Sequence, residues 1–157
     1  SDVHEHLQNL EKMLEICKQE KVKTILCAGD LISPILARKI VQAGIPLILV
    51  KGNNDGEVLG LANTLQKPHH FYIENYEGNI GGRRIFMKHT PNGCEAIAQS
   101  QKFDLVIFGH THEKLVRKIG NTTLLNPGEL CGMLSKSATF YLYETNKNVL
   151  KEICLEN

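Results

Sequence analysis

Apolar positions along the chain follow two rhythms, and the change from one to the other outlines its architecture. Over residues 5–20, Leu7, Leu10, Leu14 and Cys17 recur at i, i+3, i+7 and i+10, with Met13 beside them. That spacing gathers an apolar stripe on one face of a helix. Residues 23–28 form a short apolar run that ends at Gly29-Asp30 and predicts a buried strand. Residues 34–43 predict a second helix, with Ser33 as N-cap, Pro34 at its first position and Gly44 closing it. Residues 46–50 are a fully apolar strand running into Gly52-Asn53-Asn54-Asp55-Gly56, and residues 57–65 predict a helix.

The second half changes period. Residues 71–76 and 84–88 predict strands around a Gly81-Gly82 turn. Residues 94–101 predict a short helix, and 104–108 a buried strand ending at Gly109-His110-Thr111-His112. Residues 115–119, 122–125, 139–143 and 149–155 predict a β-rich end, with turns at Gly120-Asn121 and residues 146–148. Helix–strand alternation gives way to a run of strands. This pattern predicts an α/β sandwich of two sheets rather than one doubly wound sheet. No linker, repeat or charge block interrupts it, so residues 1–157 are expected to form a single domain.

Composition narrows the function. A chain of 157 residues suffices for one sizeable core. Lys plus Arg is 18 against 17 for Asp plus Glu, a net +1. That balance argues against gripping a nucleic acid polymer or an anionic membrane by bulk charge. No apolar run approaches the roughly 18 residues of a membrane span, and nothing reads as a signal peptide. The five cysteines, Cys17, Cys27, Cys94, Cys131 and Cys154, are scattered without a C-x-x-C pair. The expectation is reduced thiols and a cytoplasmic protein. A homo-oligomer is compatible with the composition.

The chemistry lies where strands end. Asp30 follows the strand at 23–28, Asn53 the strand at 46–50, His89 the strand at 84–88, and His110 and His112 the strand at 104–108. Asp2 and His4 stand where an upstream strand would end, so an apolar strand of about six residues is expected before them. Ligands bind at the carboxyl ends of strands in open α/β sheets. The seven residues Asp2, His4, Asp30, Asn53, His89, His110 and His112 combine imidazole and carboxylate donors suited to Mn, Fe, Co, Ni or Zn. They are enough for two ions about 3.5–4 Å apart, sharing a carboxylate. No cysteine joins the set, so a structural thiolate zinc site is not expected.

Asp2-Val3-His4, Gly29-Asp30, Gly52-Asn53-Asn54-Asp55, His89 and Gly109-His110-Thr111-His112 resemble, in order and spacing, the calcineurin-like metallophosphoesterases. The similarity is greatest to the small prokaryotic phosphodiesterases of that superfamily, and it includes the Asn126-Pro127-Gly128 turn. The resemblance implies a four-layer αββα sandwich of two mixed β-sheets flanked by helices, its first strand absent from this chain. It implies that Asp2, His4, Asp30 and His112 hold one metal. Asp30 would bridge, and Asn53, His89 and His110 would complete the second site. Mn is the first choice, with Ni, Fe, Co, Zn or Mg as alternatives. The implied reaction is hydrolysis of a small phosphodiester by a bridging hydroxide, its pKa lowered from about 15.7 to about 7 by the two cations.

Asn54 and Asp55 are the catalytic candidates. Many relatives carry a leaving-group histidine where this chain has Asn54, which supplies no proton at neutral pH. Asp55 either orients a neighbour or shapes the turn. Many relatives also read Thr-His-Gly around His89, whereas this chain reads Lys88-His89-Thr90. His6, His69 and His70 lie outside the pattern, and His69-His70 is expected on the surface. Cys131 is expected to pack, and Arg83-Arg84 and Lys21/Lys23 to be solvated. Two other functions compete: a non-catalytic scaffold of the same fold, as in the retromer complex, and a phosphomonoesterase or nuclease.

Overall fold

The computed structural model describes residues 1–155. Helix α1 (Leu7–Gln19) begins where His6 Nδ1 accepts the Asn9 amide at 3.3 Å, so His6 serves as an N-cap. Strand β1 (Ile25–Cys27) leads to α2 (Pro34–Ala43), which Gly44 ends in the left-handed region at φ 74°. Ser33 stands at the N-cap of α2, but its hydroxyl makes no cap bond. Strand β2 (Leu47–Val50) and α3 (Val58–Thr64) follow.

Residues 71–76, expected as a single strand, divide into β3 (His70–Tyr72) and β4 (Asn75–Ile80). These belong to different sheets. Strand β5 (Arg83–Lys88), α4 (Cys94–Gln99), β6 (Leu105–Ile107), β7 (Lys114–Ile119), β8 (Thr122–Pro127), β9 (Ala138–Glu144) and β10 (Val149–Leu155) complete the chain.

β1, β2 and β3 form a parallel sheet. The second sheet is mixed, in the order β4-β5-β6-β8-β7. Side-chain alternation then builds four layers. Leu47 and Leu49 pack with Leu10, Leu14 and Ile40 of the first two helices, whereas Ile48 and Val50 pack against Ile85, Met87, Leu105 and Ile107 of the other sheet. Phe86 and Val106 point the opposite way, onto Cys94 and Ala98 of α4. A strand buried on both faces supplies each neighbour with every second residue. The result is helices, sheet, sheet and helix, the expected αββα order.

One expectation changes in detail. The first sheet is wholly parallel, and the antiparallel pair β9 and β10 stands apart from it. Among the described residues, β1 pairs as a strand with β2 alone, and β9 with β10 alone. Both strands line a cavity of about 880 Å³ walled by Leu10, Ile25, Ile85, Leu105 and Phe140. Ser1 and Asp2 lie between the two halves. The Asp2 amide donates to Gly29 on one side, and the Leu130 amide donates to the Ser1 carbonyl on the other. Among the described residues no helix is long and apolar enough to cross a membrane.

Candidate metal centre

The two sheets present the carboxyl ends of β1, β2, β5 and β6 to one place. His89 fastens them together. Its Nδ1 donates to the Ala28 carbonyl at 2.7 Å, and its own carbonyl accepts the Gly109 amide at 2.9 Å. With Nδ1 carrying the proton, the lone pair of Nε2 faces the site.

The seven predicted donors meet in two groups. In the first, Asp2 Oδ1 lies 3.6 Å from His112 Nε2 and 3.9 Å from His4 Nε2. The His4 and His112 rings stack with centroids 5.0 Å apart. In the second, Asn53 Oδ1 is 2.8 Å from both His89 Nε2 and His110 Nδ1, and those two nitrogens are 3.3 Å apart. Asp30 joins the groups: its Oδ2 lies 3.5 Å from His4 Nε2 and 3.6 Å from His89 Nε2. The offset between His110 and His112 therefore sends one ring to each group.

These atoms fit a cation better than they fit each other. His4 Nε2 is buried and has no hydrogen-bond partner. Such a nitrogen is costly unless something is coordinated there. Asp2, Asp30 and His89 are each at most 4% exposed, yet they are brought together as two carboxylates and an imidazole. Imidazole and carboxylate donors converging in this way suit divalent first-row ions.

The backbone that aims them is strained. Asp2, His4, Asp30, His110 and His112 all have positive φ, between 42° and 71°. Non-glycine residues seldom adopt that region, and strain of this kind collects at functional sites. The preceding glycines permit the close approach. A Cβ on Gly52 would run into the Asp30 carboxylate and amide, and one on Gly29 would meet His89 Nδ1 at 2.5 Å. This is why the sequence repeats Gly before Asp, Asn or His.

The two catalytic candidates differ. Asn54 faces the centre and grips Asp30, through its amide to Oδ1 and through Nδ2 to Oδ2, both at 2.8 Å. Asp55 is fully buried and turned away. Its oxygens accept the amides of Asp30 (3.0 Å), Gly52 (2.7 Å) and Ile32 (2.6 Å). It ties two ligand loops together and holds Ile32 at φ 80°, an unusual value for a β-branched residue. Lys88 sends its ammonium to the Asn92 carbonyl at 3.0 Å, so its charge caps a loop beside His89.

Sequence reasoning missed Glu129. It is fully buried, and Oε2 accepts His112 Nδ1 at 2.6 Å. The Cys131 thiol donates to the same oxygen at 2.9 Å. Burial pushes the Glu129 carboxyl up, but bonds from Cys131, His112 and Ser135 outweigh it and hold the pKa at about 2. Burial first, and the Glu129 bond second, push the Cys131 thiol up to about 12. The signal was present: Gly128-Glu129 follows strand β8, the same strand–glycine–acid sequence that marks Asp30. His69 also departs from expectation. It is buried, because Nδ1 accepts the Leu47 amide at 3.2 Å beside β2, while His70 is exposed.

A fold of four αββα layers with imidazoles and carboxylates at converging strand ends defines a class. The chain belongs to the calcineurin-like phosphoesterase superfamily, whose domain model matches residues 1–148. It is 32% identical over 160 residues to phosphodiesterase MJ0936 of Methanocaldococcus jannaschii, covering 99% of this chain and 96% of that protein. The solved structure of an archaeal phosphodiesterase superposes with a TM-score of 0.92 at 31% identity, over 98% of this chain and 96% of that one. Vacuolar protein sorting 29 of Cryptosporidium parvum shares the fold at a TM-score of 0.65 and 19% identity, over 94% of this chain and 86% of its own.

Proposed function

We propose that this chain is a divalent-metal-dependent phosphodiesterase acting on a small phosphodiester. Two ions are held, one by Asp2, His4, Asp30 and His112, the other by Asp30, Asn53, His89 and His110. The position of Asp30 Oδ2, 3.5 Å from His4 and 3.6 Å from His89, carries the reading, because one carboxylate serves both groups. Divalent cations held there would activate water near neutral pH and would draw charge from the phosphoryl oxygens. Manganese is our first choice, and nickel, iron, cobalt, zinc and magnesium share the donor preference.

The chain's own residues position the parts. His89 and His112 each commit Nδ1 to an acceptor, which leaves Nε2 for coordination. Asn54 steadies Asp30 and offers no proton to a departing alkoxide. Diesters with activated leaving groups therefore suit the site better than monoesters of simple alcohols. A net charge of +1 gives little attraction for a nucleic acid polymer. Five free cysteines, four of them buried, accord with a reduced cytoplasm.

The test is turnover of an aryl phosphodiester with and without Mn²⁺. Metal-stimulated hydrolysis is expected, with loss in His89→Ala and His112→Ala. Hydrolysis that neither needs metal nor responds to those substitutions would refute the reading. Fewer than one ion per chain, together with tight binding to a protein, would favour the scaffold function instead.

A further inference from the structure

The Glu129 carboxylate sits behind the metal centre, and every acceptor position it offers is taken. Oε2 receives His112 Nδ1 at 2.6 Å and Cys131 Sγ at 2.9 Å. Oε1 receives the Leu134 amide at 2.8 Å, the Ser135 amide at 2.5 Å and the Ser135 hydroxyl at 2.7 Å. Two of the five donors, the Leu134 and Ser135 amides, can only donate.

We infer that Glu129 is a positioning residue that fixes the tautomer of His112. Resting on the ligand assignment above, it keeps the proton on Nδ1 and the lone pair of Nε2 turned toward Asp2. A neutral imidazole has one N–H and one lone pair, and whatever accepts the N–H decides which nitrogen is free. A carboxylate behind a metal-binding histidine also raises the basicity of the ring.

The saturated carboxylate separates this role from two others. His112, Glu129 and Cys131 lie close enough to resemble a metal site of their own. Coordination there through Oε2 would displace the two hydrogen bonds that oxygen accepts and require a thiolate from a thiol whose pKa is about 12. A purely structural anchor would need only Oε1 and its three donors from residues 134–135. The geometry instead divides the labour: Oε1 fastens the 132–137 loop, and Oε2 orients His112.

Glutamine makes the division testable. Its single carbonyl oxygen can serve the loop or the histidine, and its NH₂ must then face the other. If the NH₂ faces His112, the proton moves to Nε2 and the lone pair turns away from the centre. The experiment is ¹⁵N-detected histidine tautomer NMR on the metal-free 157-residue chain, above the ordinary imidazole pKa of about 6.5. The expected result is His112 protonated on Nδ1 in the parent and in Cys131→Ala, and on Nε2 in Glu129→Gln. Mn²⁺ affinity by calorimetry should fall about 10–100-fold in Glu129→Gln.

Nε2 protonation in the parent would overturn the inference, and that measurement needs no variant to fold. A cadmium–thiolate absorption band abolished by Cys131→Ser would also overturn it, because the trio would then be a metal site. Parent-like Mn²⁺ binding in His112→Ala would refute the ligand assignment, whereas the tautomer readout in metal-free protein stands apart from that outcome.

Discussion

Asn54 holds Asp30 by both carboxylate oxygens, with two bonds of 2.8 Å. The shared carboxylate of the centre is thus oriented by the residue that replaces the leaving-group histidine of many relatives. Asn54→Ala removes the Nδ2 bond and keeps the backbone one. Such partners of a ligand contribute about 10–100-fold in metal affinity or activity. The expected outcome is a fall of about tenfold in kcat on an aryl phosphodiester, with two Mn²⁺ per chain retained by elemental analysis. Undiminished kcat would show that the Nδ2 bond does nothing for the reaction.

Asp55 is placed to contribute to stability through the three amides it accepts. Its substitution by alanine orphans the buried amides of Asp30, Gly52 and Ile32. Each unsatisfied buried donor costs about 1–3 kcal/mol. Urea unfolding of the metal-free protein should show Asp55→Ala destabilised by about 3 kcal/mol or more. Asp55→Asn, which retains an acceptor, should lose less. Equal stability of all three proteins would mean that solvent satisfies those amides.

The ligand set was legible because three of its seven members repeat one local device in full: an apolar strand, a glycine that allows close approach, and a polar side chain at the carboxyl end. Gly29-Asp30, Gly52-Asn53 and Gly109-His110 all use it. Glu129 uses it too, but its link to the centre runs through His112, 17 residues away, and nothing in local sequence marks that pairing. The break between β3 and β4 was hidden for another reason. Ile73 and Glu74 carry no Gly or Pro, so nothing local marks the crossing from one sheet to the other. His69 lies next to a proline and reads as loop, and only the tertiary pairing with the Leu47 amide buries it.

His69 gives the stability a pH dependence of definite sign. Burial first, and its neighbour His70 second, lower its pKa from the ordinary 6.5. The folded state therefore prefers the neutral ring. This contribution is fully present above pH 6.5 and is lost as pH falls through the lowered folded value. Thermal unfolding of metal-free protein should show Tm declining below that point. His69→Gln, which keeps an acceptor for Leu47 without titrating, should show a flatter profile over the same interval. An identical slope in both proteins would assign the dependence to other groups.

Cations should stabilise the folded chain as well as activate it. Carboxylates from Asp2 and Asp30 face the unpartnered His4 nitrogen, and a ligand bound only by the native state adds stability by mass action. At a hundred times its dissociation constant, Mn²⁺ should add about 2.7 kcal/mol for each site filled. Calorimetry should find Tm rising with Mn²⁺ concentration and returning to its starting value with chelator. Asp30→Asn should blunt the rise more than Asn53→Ala, because the Asp30 carboxylate lies near histidine nitrogens of both groups. A Tm indifferent to Mn²⁺ would leave the His4 nitrogen unexplained.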